Sequence, residues 1–147
     1  DINCALGTSQ LKRLPEFKTK RQQIVSWYAE ELEEVADSIS VPQPQEGVDI
    51  SWFVYVVRIA DKYTSEDRDA IIDHLKSHDI GCNTYFPPIH LQPVYRNLGH
   101  NEGDFPITEQ VADHTIALPF FTKLSREEVA SVCGILKDGL KLLPISS

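Results

Sequence analysis

Methionine is missing from this sequence altogether, position 1 included. A chain that opens on DINCALG reads as mid-sequence, so part of a longer polypeptide is expected. Cysteine is scarce: Cys4, Cys82 and Cys133 are odd in number and contain no CxxC pair. That excludes a fully paired disulfide framework and points to reduced thiols in a cytoplasmic, cytosol-like compartment. Long apolar runs are absent too. None approaches the roughly 18 residues that a spanning helix needs, so no membrane span is expected. Positive charge is in deficit, with 14 Lys and Arg against 22 Asp and Glu, a net charge of −8. Nucleic acid as the main partner is excluded on that ground, because binding phosphate backbones needs a basic surface. A small phosphorylated ligand needs only a local basic patch and stays open. No leader segment, low-complexity tract or internal repeat is recognisable. The chain also lacks G-x-S-x-G, a Gly-rich phosphate loop and H-E-x-x-H.

What is present suits one soluble domain. At about 150 residues a chain hides roughly 70% of its unfolded surface, enough for a true core. The first 36 residues read as helical. Ile2, Leu6, Leu11 and Leu14 start an apolar series that Pro15 should interrupt, Pro15 then opening a second stretch. From there Phe17, Ile24, Tyr28, Leu32 and Val35 recur at helical spacing opposite a charged face. SWFVYVVRIA, residues 51–60, is the clearest strand; alternation puts Phe53, Tyr55, Val57 and Ile59 on one side and Trp52, Val54, Val56 and Arg58 on the other. Both sides are largely apolar, which predicts a central strand. Residues 64–81 predict a helix capped by Thr64 or Ser65 and ended by Gly81. A short helix over ITEQVADH, a strand over TIALPF and a final helix from Ser125 follow, the last with Glu128 completing a capping box. The order predicts an α+β, two-layer small domain: a long N-terminal helix plus a small, mainly antiparallel sheet covered by helices.

Few side chains point to chemistry. His74 and His78 stand four apart on one predicted helix, but spacing fixes no third ligand, so no metal site is assigned. Cys133 falls near an apolar stripe and reads as core. The stretch NTYFPPIHLQPVYRNLG, residues 83–99, is different. Pro87 and Pro88 fix two φ angles and remove two donors, and Phe86 is pushed to extended geometry. Such stiffness lowers the entropy lost on binding. His90 supplies a donor and acceptor, Tyr85 and Tyr95 add flat surfaces with polar tips, and Arg96 can fork onto a phosphate or carboxylate. The competing reading is that the prolines only shape a turn and His90 caps a backbone group.

INCALGTSQLKRLPEFKTKRQQIVSWYAEEL, SWFVYVVRI, YFPPIHLQPVYRNLG, FPITEQVADHTIALPFF and LSREEVASVCGIL, taken in order, resemble the C-terminal part of the DegT/DnrJ/StrS-type sugar aminotransferases. The resemblance implies the small domain of the aspartate-aminotransferase fold (type I). It further implies a pyridoxal-phosphate enzyme that moves an amino group, often from glutamate, to a nucleotide-linked keto sugar for amino-sugar and surface-polysaccharide biosynthesis, working as a homodimer. By the same resemblance residues 1–36 form a helical connector to a large cofactor-binding domain that precedes this sequence, and residues 37–147 form the small domain. None of Lys12, Lys18, Lys20, Lys62, Lys76, Lys123, Lys137 or Lys141 lies in a matching context, so no residue here is assigned as catalytic or cofactor-binding, and the piece alone is expected to be inactive. His90, then Tyr85, with Tyr95 and Arg96, are expected to contact the nucleotide-sugar. Two alternatives stay open: a stand-alone binding or dimerisation module, and a dehydratase relative with the same cofactor.

Overall fold

A computed structural model describes residues 1–143. Its elements run α1 (Ile2–Leu32), β1 (Ile39–Ser40), β2 (Tyr55–Ile59), α2 (Ser65–Ser77), α3 (Pro93–Arg96), α4 (Pro106–His114), β3 (Thr115–Leu118) and α5 (Arg126–Leu142). The strands form one antiparallel sheet in the order β1-β2-β3, so β2 is central as its sequence predicts. Along β2 every second residue, Tyr55, Val57 and Ile59, is fully buried, while Val56 and Arg58 are half-buried on the other face. The helices pack as α1 on α5 and α5 on α2. They bring Tyr28, Leu32, Ile71, Leu75, Val129 and Leu136 into one core with the inner face of the sheet. Burying each such side chain stabilises by roughly 1.5–3 kcal/mol, which is what holds a sheet this small in place.

Three local expectations are corrected. Pro15 does not interrupt α1, which runs through it without a break. A proline lacks the N–H that would bond the carbonyl four residues back and costs about 3 kcal/mol inside a helix. Here that carbonyl belongs to Leu11, which is exposed, so solvent can reach it. The strand starts at Tyr55 and not at Ser51, and the side of its first residues is reversed: Trp52 is 8% exposed and Phe53 70%. Helix α1 captures this approach. Arg21 Nη1 donates to the Trp52 carbonyl at 2.9 Å, and the Trp52 indole donates to Gln22 Oε1 at 3.0 Å. A carbonyl and a ring held by the helix cannot keep strand alternation. Finally, α2 ends before Gly81. Asp79 takes the left-handed conformation (φ 60°), and the Ile80 N–H closes back on the Leu75 carbonyl at 3.1 Å. Asp is among the few residues that tolerate this geometry, so the helix turns off two residues early.

The caps agree with the sequence. Thr64 with Asp67, and Ser125 with Glu128, each form a complete capping box. The stripe of α5, with Val129, Val132, Leu136, Leu140 and Leu143, is buried throughout. The N-terminal half of α1 is the reverse: Ile2, Leu6, Leu11 and Leu14 are 86%, 58%, 70% and 43% exposed, and the first buried residue of the helix is Ile24. No helix is long and apolar enough to cross a membrane among the described residues.

Candidate functional site

The 83–99 segment enters from the sheet. Asn83 makes an antiparallel bridge to Ala117 through two backbone hydrogen bonds, of 3.3 and 2.8 Å. The two prolines then keep the chain extended until a 3₁₀ turn over Ile89–Leu91, closed by the Leu91 N–H on the Pro88 carbonyl at 3.0 Å. Gln92 precedes a proline and is extended (φ −69°, ψ 149°), as sterics require. Pro93 then starts α3 at the position where a missing N–H costs nothing. The segment is thus a run of short turns, with a proline just before the 3₁₀ turn and another opening α3.

His90 sits inside this arrangement, 8% exposed. Its Nε2 lies 2.7 Å from Glu109 Oε1, on the first turn of α4. The same carboxylate accepts the Gly103 N–H at 2.9 and 3.0 Å and the Phe105 N–H at 3.3 Å. Glu109 therefore ties the turn of His90 to the loop that leads into α4. The Phe105 ring meets the imidazole edge-on, with centroids 4.8 Å apart. The Gly103 N–H, and secondarily His90 and Phe105, hold the Glu109 carboxyl below the usual carboxylate range. One turn earlier Asp104 accepts the Asn101 N–H at 3.0 Å and faces His100 at 3.4 Å; the Asn101 bond likewise lowers its proton affinity. Gly103 at φ 92° occupies a conformation that side-chain-bearing residues rarely adopt, which lets its N–H point at Glu109.

The other expected contacts surround this node. Arg96 Nε donates to the Leu91 carbonyl at 2.8 Å, fastening α3 to the turn of His90. Among the described residues no carboxylate pairs with its guanidinium, which leaves the fork open. Tyr95 is 38% exposed on the same short helix. Tyr85 packs against Phe86 at 4.4 Å and lines a shallow groove of about 340 Å³ between Pro87, Pro88 and the Ile107–Val111 side of α4. Arg96 is thus tied, through the Leu91 carbonyl, to the turn that carries His90, whereas Tyr85 lines the groove. Sequence reasoning missed Glu109 and Phe105. An acidic side chain in the first turn after Pro106 signals a carboxylate that reaches back to free N–H groups; its long-range partner His90 carries no local signal.

The remaining candidates resolve plainly. The His74 and His78 rings lie 4.6 Å apart, and His78 Nδ1 is 2.9 Å from the His74 carbonyl. No group of three or more His, Cys, Asp or Glu could hold a metal ion among the described residues. Cys133 is fully buried, and burial pushes its thiol up to about 12. A pyridoxal cofactor needs a sheltered lysine amine, and these residues do not fit that group. No lysine is buried; the two least exposed, Lys18 and Lys137, are bound to Asp49 at 2.6 Å and Glu34 at 2.5 Å.

Comparison with known proteins gives the family. Residues 1–137 match the DegT/DnrJ/EryC1/StrS aminotransferase family. A dTDP-4-dehydro-2,3,6-trideoxy-D-glucose 4-aminotransferase of Saccharopolyspora spinosa is 30% identical over 132 residues, covering 90% of this chain and 32% of that protein. The crystal structure of the aminotransferase TlmJ from Streptoalloteichus hindustanus superposes with a TM-score of 0.81 at 32% identity, over 94% of this chain and 35% of that one. Spr1654 of Streptococcus pneumoniae, described as a sugar aminotransferase and solved in PMP and PLP forms, superposes in its PMP form with a TM-score of 0.87 at 31% identity, over 94% of this chain and 34% of that one. The chain spans about a third of the length of the relatives it matches. With a match that covers residues 1–137 and a shared fold, the chain belongs to the DegT/DnrJ/EryC1/StrS aminotransferase family.

Proposed function

We propose that this chain is the C-terminal small-domain part of a cytoplasmic, pyridoxal-phosphate-dependent aminotransferase that transfers an amino group, from glutamate, to a nucleotide-linked keto sugar. The observation that carries the reading is the family match over residues 1–137, together with a proline-stiffened loop pinned by His90 and Glu109. The named activity of the Saccharopolyspora spinosa relative supports a nucleotide-linked 4-dehydro sugar as substrate class. Within this division of labour the chain supplies the substrate side. His90 hydrogen-bonds the sugar portion, the open guanidinium fork of Arg96 meets the pyrophosphate, and Tyr85 and Tyr95 give flat surfaces on either flank. The cofactor is held elsewhere in the enzyme, because no lysine here fits it, and the chain by itself does not transaminate. The exposed Ile2, Leu6, Leu11 and Leu14 of α1 support a connector that docks on the cofactor-binding domain. The enzyme is a homodimer.

The reading is tested by replacing His90 in the polypeptide that contains this chain, with a dTDP-linked 4-dehydro sugar as probe. Loss of one buried hydrogen bond of about 1.4 kcal/mol predicts a roughly tenfold rise in KM for the sugar, with glutamate kinetics unchanged. Unaltered KM and kcat would assign the loop a structural role only.

A further inference from the structure

We infer that Glu109 is a positioning residue that fixes His90 as the Nε2–H tautomer, so that the imidazole meets its ligand through Nδ1 as an acceptor for a sugar hydroxyl, and not as a partner for a phosphate oxygen. This rests on the reading of His90 as a substrate contact. The argument is a matter of donors and acceptors. Backbone N–H groups can only donate, and both Gly103 and Phe105 direct theirs at the Glu109 carboxylate. That carboxylate is therefore an acceptor on all sides. Nε2 of His90, 2.7 Å from Oε1, must bring a proton to the contact. In a neutral imidazole the second nitrogen then carries only a lone pair.

The geometry leaves that lone pair usable. No hydrogen bond to His90 Nδ1 is made among the described residues, and Nδ1 is not one of the fully buried atoms left without a partner. The edge-on Phe105 ring restricts rotation, so the direction of Nδ1 is set as well. A hydroxyl approaching Nδ1 donates its proton and gains a bond. A phosphate oxygen would meet lone pair against lone pair and is excluded unless the ring takes a second proton. The charged and titratable groups nearest the ring are Glu109 itself and, along the adjoining loop, Asp104 and His100. Among the described residues neither carboxylate accepts a hydrogen bond from Nδ1, so no protein group calls for a proton there. Phosphate binding is left to the Arg96 fork, and hydroxyl selection to His90.

The test has two arms. In the 15N-labelled chain, long-range 1H–15N spectra taken above the titration range of the ring should show His90 protonated at Nε2, with that proton protected from exchange. Glu109→Gln keeps a carbonyl acceptor and should retain the protected proton, whereas Glu109→Ala should lose it. In the polypeptide that contains this chain, with a dTDP-linked 4-dehydro sugar as probe, Glu109→Ala should raise KM roughly as much as His90→Ala and add nothing in a His90→Ala background. An Nδ1-protonated ring in the unmodified chain overturns the inference. So does a Glu109→Ala penalty that persists undiminished without His90. A His90→Ala variant with unaltered KM instead sinks the substrate-contact reading beneath it, while the ring spectrum stands unchanged, so the two failures are distinguishable.

Discussion

Replacing Tyr55 with phenylalanine should stabilise the domain, whereas the same change at Tyr28 should weaken it. The two rings are stacked at 4.6 Å with 15° between their planes, and both residues are fully buried. They differ in one respect. Tyr28 donates its hydroxyl to the Pro119 carbonyl at 2.8 Å, while the Tyr55 hydroxyl has no partner among the described residues. A buried polar group without a partner costs about 1–3 kcal/mol, so removing the Tyr55 oxygen should gain about 1 kcal/mol after the small loss of packing. Tyr28→Phe leaves the Pro119 carbonyl unpaired and should lose about 1 kcal/mol. The two variants should differ by about 2 kcal/mol, or roughly 4–8 °C in Tm for a chain of this size. Urea unfolding followed by far-ultraviolet circular dichroism reads this directly, and unchanged m-values would show that the unfolded states are comparable. Trp52 lies 6.4 Å from the Tyr55 ring, so tryptophan fluorescence is the poorer probe. If Tyr55→Phe is as destabilising as Tyr28→Phe, a buried water satisfies the Tyr55 hydroxyl and the reasoning fails.

Other outcomes follow from the same structure. Asp79→Gly relieves a left-handed φ of 60° at the end of α2 and should gain up to about 1 kcal/mol, measured as a raised urea midpoint. At alkaline pH the sign is fixed by burial: Tyr28, Tyr55 and Cys133 all have raised proton affinities, Cys133 to about 12 from an ordinary 9.0. The unfolded chain releases these protons first, so stability should fall as pH rises from about 9 towards 12, and a flat profile would contradict the buried placement of these groups. Below that range iodoacetamide should label exposed Cys4 readily and spare Cys133, as mass spectrometry of digested protein would show. At acid pH Glu109 works in the opposite sense: its folded proton affinity is lowered, so its contribution is complete above an ordinary 4.5 and is lost as pH falls through the folded value. The protection of the Gly103 amide, its exchange relative to the free-chain rate at the same pH, should fall over that acid interval before the core opens.

Much of the fold was legible because its signals are local. The cap at Thr64, the capping box at Ser125 and the stripe of α5 each lie within a few residues of sequence and appear where expected, as does the central place of β2, though not its start. The misplaced boundaries have long-range causes. The early part of residues 51–60 left the sheet because Arg21 and Gln22, about thirty positions away, took its polar groups. Pro15 lies in a stretch of helix open to solvent, and exposure of that kind is invisible in periodicity. The site shows the same division. The stiffness of residues 83–99 is written in its prolines, and His90 stood out by its chemistry. What the sequence could not reveal was that Glu109, nineteen positions on, would claim one ring nitrogen and leave the other.

The most direct measurement of the central claim is amino transfer by the native polypeptide that contains this chain. Purified from its source, it should exceed the 16.6 kDa of these 147 residues by intact mass, carry bound pyridoxal phosphate and convert a dTDP-linked 4-dehydro sugar with glutamate as donor. A native species of 16.6 kDa that binds no cofactor and transfers no amino group would contradict the account.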